Sequence, residues 1–424
     1  MMLSKATKPR LSRAFLLLLV VLIALGAVGC SAAPSRGWSG PLVSDNVLYV
    51  GTLQGKILAL DLIAADATAD QKWVEEVAQR SGGGFSCSGS VSMAMGIYGT
   101  PALRDDKLYV GAYDGNVLWV SRDGTSVSRS NFDTGGQIIG SVAIDGDTLY
   151  VGNSKGKVYA LDLTAADLAN SLREGWPFKT GGEIWSTPVV VDKVVYVASA
   201  DHCLYAIDAE SGHEIWRFET EAAIMSTPLV DNGTVYIGGC DRKFYSISAA
   251  TEPERVAAAG EGYSPTVRQL KSVFEGADNW FWTQALAYNG QIWAGCLDGN
   301  VYVLDAENVA NKIDEVSTEG MVYAPPVVLG GLVIVGSQDG MIYLIDPDTT
   351  DYEAYAFDSK TYEPFKAPEE PKNKPAPIFA SMFADEASGI LYFHAQDGYH
   401  TVYAFELSTR QVLWHFRTDK IKSD

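Results

Sequence analysis

The chain is poor in cysteine, in positive charge and in long apolar runs, and each shortage removes a class of protein. Its five cysteines (Cys30, Cys87, Cys203, Cys240 and Cys296) are scattered along 424 residues and obey no disulfide-framework spacing. Lys and Arg number 32 against 52 Asp and Glu, so the net charge is −20 and a polyanion such as nucleic acid is repelled. One uncharged apolar stretch stands out, Ala14 to Gly29, and at 16 residues it is short for the roughly 20 that a membrane-spanning helix needs. The signatures G-x-S-x-G, the phosphate loop and H-E-x-x-H are missing from the sequence.

That apolar stretch follows Lys5, Lys8, Arg10 and Arg13 and ends in small residues, the layout of a secretory signal at 1–29. The junction "GAVGC" sets Cys30 directly after Gly29 and resembles the lipobox of bacterial lipoproteins, with Ala27 where Leu is usual. The resemblance implies that Cys30 takes a lipid and becomes the first residue, with 30–36 as a tether. Loss of the signal removes four positive charges and no negative ones, taking the net charge from −20 to −24. The expectation is an extracytoplasmic protein, lipid-anchored to a bacterial membrane, either the cell membrane or the outer membrane.

What the sequence has in abundance is one phrase. "LYVGAYDGNVLWVS" (108–121) recurs at 48–61, 149–162, 195–208, 235–248, 292–305, 333–346 and, with two extra residues, 391–406. Steps between the glycine-equivalent positions are 60, 41, 46, 40, 57, 41 and 58 residues. Each phrase has two runs rich in Val, Ile, Tyr and Leu joined by a turn that often holds Asp-Gly, which is a β-hairpin. A short strand precedes each phrase, as in "WSTPVVVDK" (185–193), and a fourth follows, marked by Trp73, Phe132, Trp176, Trp216, Tyr355 or Trp414. Four-stranded sheets cannot bury two faces alone, and radial packing of eight solves that problem. The predicted fold is all-β, an eight-bladed β-propeller over 37–424, eight blades being favoured over seven. The blades run approximately 37–77, 98–134, 137–180, 183–220, 223–275, 280–318, 321–358 and 376–419.

Pro-x-Val, then V-Y-V-G-x-x-D-G-x-V-Y-A-L-D, then T-G-x-x-x-W resembles the pyrroloquinoline-quinone-like propeller repeat. With the lipobox, the layout is similar to the propeller lipoproteins of outer-membrane β-barrel assembly. Catalytic quinoproteins with this repeat hold pyrroloquinoline quinone with adjacent cysteines, a stacking Trp and calcium ligands, and no Cys-Cys pair occurs here. Two readings follow. The favoured one is a non-catalytic, membrane-anchored scaffold for protein–protein interaction, a monomer within a complex whose partner is an envelope or membrane protein. The alternative is a quinoprotein-like dehydrogenase, with pyrroloquinoline quinone and calcium, or a small-ligand sensor.

Antiparallel order puts the central turns and the blade-to-blade links on one face. There the inner strands begin at Trp38, Tyr98, Ile139, Trp185, Met225, Trp282, Tyr323 and Phe379, a nearly continuous apolar and aromatic ring. Packing between blades is the ordinary reading of such a ring; a partner-binding rim is the functional one, with a cofactor platform third. Insertions at 78–97 and 359–378 are expected on this face, and one at 249–265 on the other. Asp114, Asp201, Asp241, Asp298, Asp339 and Asp397 occupy central turns, where turn chemistry explains them better than calcium. His394 and His400 flank one hairpin, without a clear third metal ligand.

Overall fold

In the computed structural model the described residues are 39–62 except 53, 70–76, 96–249 except 129, 266–358 except 269, 360–367, 373, 375–396 and 400–418. The signal, the tether, Cys30, Trp38, Cys87 and Asp397 lie outside the described residues.

Eight antiparallel sheets follow one another along the chain, each built in the order inner, second, third and outer strand. Blade 1 comprises Leu42–Ser44, Val47–Gly51, Lys56–Asp61 and Asp70–Glu76, and blade 8 comprises Phe383–Asp385, Ile390–Ala395, Thr401–Glu406 and Gln411–Arg417. Among the described residues no strand is shared between the first and last blades. The fold is an eight-bladed β-propeller, as the repeat predicts.

Its core is divided into packets, one or two between each pair of neighbouring blades. Leu149 and Val151 of blade 3 pack with Tyr109 and Val117 of blade 2; Val235 and Ile237 of blade 5 pack with Tyr196 and Leu204 of blade 4. The ring closes through a packet that joins Leu48, Val50, Leu58 and Leu60 of blade 1 to Tyr392, Val402, Ala404 and Trp414 of blade 8. Burying a side chain of this kind contributes roughly 1.5–3 kcal/mol, and every second and third strand supplies two or more.

The phrase itself explains how the packets form. Its glycine ends the second strand because the next blade lays a branched or aromatic side chain there. A Cβ on Gly51 would lie 2.5 Å from Cγ2 of Ile97, one on Gly295 2.6 Å from Cγ1 of Val322, and one on Gly336 2.7 Å from Cγ2 of Ile378. Its tyrosine stitches the opposite face. Tyr236 donates its hydroxyl to the Ala306 carbonyl of the next blade at 2.6 Å, and Tyr150 and Tyr196 reach Ala209 and Ala249 in the same way at 3.3 and 3.4 Å.

Among the described residues two blades carry a fifth strand that the repeat does not predict. Thr266–Val267, at the end of the third insertion, pairs in parallel with Trp216 and Arg217 on the outer edge of blade 4. Pro364–Lys366 pairs antiparallel with Tyr355–Phe357 on blade 7, and the Asn373 N–H donates to the Asp358 carboxylate at 3.1 Å. The described part of the 359–378 insertion therefore covers a sheet edge rather than only projecting from the ring face. Covered edges resist pairing with other chains.

Candidate interaction rim

The links that lead into the inner strands are fixed to the central turns by one repeated bond. In blades 2 to 8 a turn N–H donates to the carbonyl two residues before the rim position: Tyr113 to Gly96, Ser154 to Gln137, Ala200 to Glu183, Cys240 to Ala223, Leu297 to Trp280, Gln338 to Met321 and Gln396 to Pro377. Alternation then sends the next residue inward and the rim residue the other way. Ile97, Ile138, Ile184, Ile224, Phe281, Val322 and Ile378 are accordingly buried to 1% exposure or less. These are the side chains that lock onto the neighbouring blades. The blade-packing role expected of the rim position thus belongs to the residue before it.

The rim residues themselves are half-buried, except Met225 at 9% exposure. They form three groups rather than a continuous ring. Tyr98 of blade 2 meets Tyr113 of its own central turn, ring centroids 5.2 Å apart. Tyr323 of blade 7 meets Phe379 of blade 8 at 5.2 Å, and its hydroxyl donates to the Met321 sulfur at 3.2 Å. The third group spans a whole blade: Trp185 of blade 4 and Trp282 of blade 6 lie 5.8 Å apart, edge to face at 81°. Contact across blade 5 requires both indoles to lean toward the propeller axis, over the mouth of the channel. Ile139, half-buried, contributes no aromatic ring. Burial pushes the Tyr98 and Tyr323 hydroxyls above the ordinary tyrosine range, so both are neutral donors at neutral pH.

Counting three residues back from the proline slot misses Trp280 and Met321, which share this face two residues before Trp282 and Tyr323. Trp280 is half-buried and Met321 is 37% exposed. The bond from each carbonyl to the central turn identifies them, and no single-sequence signal does.

Beneath the rim, the central aspartates hold turns and links together. Asp201 accepts the N–H of Gly181 at 2.6 Å and of Cys203 at 3.0 Å, and the hydroxyl of Tyr205 at 2.7 Å. The same triad repeats at Asp241 with Glu221, Lys243 and Tyr245, at Asp298 with Asp278, Asn300 and Tyr302, and at Asp339 with Glu319, Met341 and Tyr343. Burial first, and donation to a carboxylate second, raise the hydroxyl pKa of all four tyrosines. Among the described residues Asp114 makes the turn bond alone, to the Asn116 N–H at 2.9 Å. These carboxylates are occupied by the fold's own donors.

A belt of hydroxyl bonds runs closer to the axis. The Thr100 N–H donates to Ser141 Oγ at 2.9 Å, the Ser141 N–H to Thr187 Oγ1 at 3.0 Å, and the Thr187 N–H to Thr227 Oγ1 at 3.1 Å, linking blades 2 to 5. Ser39 extends the belt to blade 1 through Gly99, and Gln284 to blade 6 through Pro228.

Cys203 and Cys296 are buried, Cys240 is half-buried, and the three are free thiols in three different blades. Burial pushes the Cys240 thiol up to about 12 and raises the other two, so none is a ready thiolate. Thiols so separated, beside carboxylates already engaged, do not fit a quinone held on adjacent cysteines with calcium. His394 and His400 do meet, ring centroids 5.9 Å apart, but no group of three or more His, Cys, Asp or Glu able to hold a metal occurs among the described residues.

Comparison with known proteins extends this picture. The family described as outer membrane protein assembly factor BamB matches residues 24–176 and 166–252, more than half of the chain. Among solved structures, BamB from Moraxella catarrhalis superposes with a TM-score of 0.60 at 14% identity, covering 89% of this chain and 98% of that one. The computationally designed Ika8 protein superposes with a TM-score of 0.63 at 16% identity, covering 88% and 96%. At such identities the two structures establish the shared fold alone. No curated protein matches the chain in sequence. The repeat, the eight blades and the family match together place this chain in the pyrroloquinoline-quinone-like propeller family of the outer membrane protein assembly factor BamB.

Proposed function

We propose that this chain is a membrane-anchored, extracytoplasmic scaffold that binds an envelope or membrane protein through the rim, in envelope protein assembly. The carrying observation is the Trp185–Trp282 contact across blade 5. Two indoles brought together at a channel mouth, half-exposed and held by latched links, are preorganised anchors of the kind that dominate protein interfaces. The family description, an assembly factor of outer membrane proteins, supports the same class of partner. Lipidation at Cys30 would keep the propeller at the membrane as a monomer within a complex, and its excess of acidic residues keeps it soluble.

The test is affinity capture of the lipidated chain after cross-linking in its native host, read by mass spectrometry. A stoichiometric envelope protein recovered with the native chain, and lost from the Trp185→Ala/Trp282→Ala chain while its thermal midpoint stays above the growth temperature, supports the scaffold. Recovery of the chain alone contradicts it. Cys30→Ser separately abolishes labelling by radioactive palmitate if the anchor is as proposed.

A further inference from the structure

Among the described residues, three aromatic rings carry a cation of their own. Lys107 sits over Trp119 at 4.5 Å, Arg217 over Tyr205 at 5.3 Å and Arg268 over Trp216 at 5.9 Å. The Trp185–Trp282 pair has a carboxylate beside it instead. Glu183 accepts the Trp185 indole N–H at 2.9 Å, which satisfies the only donor of that ring and fixes a negative charge at its edge. Asp278 and Glu319 are exposed on the links into blades 6 and 7, and neither side chain pairs with a cation among the described residues. Lys243, on the blade 5 turn, is already held by Glu221 at 2.7 Å and Glu275 at 2.6 Å. The only other described Lys or Arg in the central turns of blades 4 to 7 and the links leading into them is the exposed Arg242.

An indole face is electron-rich, and a carboxylate at the ring edge adds to its negative potential. Such a place favours a cation over a purely apolar group, which would desolvate Glu183 without compensation. It disfavours an acidic one outright. A planar guanidinium satisfies both demands, stacking on the ring while donating to the carboxylate. We propose that the Trp185–Trp282 pair, with Glu183 as counter-charge, receives an arginine side chain from an extended segment of the partner protein. The proposal rests on the rim reading above and adds the chemistry of what the rim receives. The chain's net charge of −20 attracts a basic segment from a distance.

The experiment is fluorine NMR of the full chain labelled with 5-fluorotryptophan, which gives ten signals, one per tryptophan. Trp185→Phe and Trp282→Phe assign the two rim signals. The chain is titrated with N-acetyl-arginine amide, with the uncharged citrulline analogue and with N-acetyl-leucine amide. The arginine compound should shift both rim signals saturably, and the citrulline compound should bind more weakly by roughly five-fold or more, the equivalent of about 1 kcal/mol of cation–aromatic attraction. Glu183→Gln should weaken the arginine compound and leave the leucine compound unchanged. Equal shifts from citrulline or leucine amide, or no shift from arginine amide, overturn the proposal. If arginine amide fails while the envelope partner is still captured and still lost from the double alanine variant, the cation pocket falls and the rim stands. If both fail, the rim falls with it.

Discussion

In blades 4 to 7 the second strand ends in Ala198, Gly238, Gly295 or Gly336, and the next blade supplies Ile224, Phe281, Val322 or Ile378 to pack there. In blade 8 the corresponding position of the phrase is His394. The four regular blades also share the aspartate–tyrosine latch, and the hydroxyl belt runs from blade 1 as far as blade 6. Further round, the belt position holds Pro325 in blade 7, which has no N–H to give. His394 is 2% exposed, and neither of its ring nitrogens makes a hydrogen bond among the described residues. Repeats with the same strand order therefore differ in energetics. At that position the regular blades bury no polar side chain, and the closing blade buries a neutral imidazole beside His400.

The largest expected effect comes from copying the closing blade into a regular one. Gly295→His would press its Cβ onto Val322 and bury an imidazole with no designed partner, costing roughly 3–5 kcal/mol from overpacking and unmet polarity together. Urea denaturation checks it, and an unchanged midpoint would show that the glycine is incidental. Breaking one latch comes next. Asp298→Ala removes three accepted bonds and should cost about 2–3 kcal/mol, whereas Tyr302→Phe removes one of the three, with a longer bond from the Asn300 amide at 3.4 Å, and should cost about 1 kcal/mol. Equal losses would mean that the link and turn bonds contribute nothing.

The third prediction concerns pH. Burial first, and His400 second, pull the His394 pKa down to about 3, against an ordinary value near 6.5 in the unfolded chain. The unfolded chain then binds a proton that the folded one refuses, so this stability is fully present above about pH 6.5 and is lost as pH falls toward 3. Between pH 6.5 and 5, above the range where carboxylates titrate, the thermal midpoint of the native chain should drop. His394→Leu should flatten that drop, and an unaltered slope would assign it elsewhere. Smallest of all, Glu183→Gln touches only an exposed carboxylate and its bond to Trp185, so stability should change by no more than about 0.5 kcal/mol. A larger change would make Glu183 a structural residue rather than part of the rim's chemistry.

The blades were legible because a hairpin repeated eight times has a period that chance does not produce. The rim was half legible. Its positions follow from counting back from the proline slot, but a linear count cannot tell which of two adjacent apolar residues faces the neighbouring blade, and here Ile184, not Trp185, does. That Trp185 meets Trp282 across blade 5 depends on closure of the ring, which no local pattern encodes. For the same reason the sequence could not show Thr266–Val267 returning to the edge of blade 4. The belt is written in "STP" and "GTP", yet its bonds exist only between blades. His394 was visible as a departure at a glycine position, while its cost appears only with burial.

The most direct test of the scaffold is site-specific photo-cross-linking of the lipidated chain in native membranes. p-Benzoylphenylalanine is placed at position 321, beside the anchors on the rim face, and, separately, at position 232, an exposed residue on the turn of blade 5 that joins its inner and second strands, on the opposite face. The account predicts a discrete adduct with one envelope protein from position 321 and none from position 232. No adduct at 321, or a discrete one at 232 alone, would contradict it.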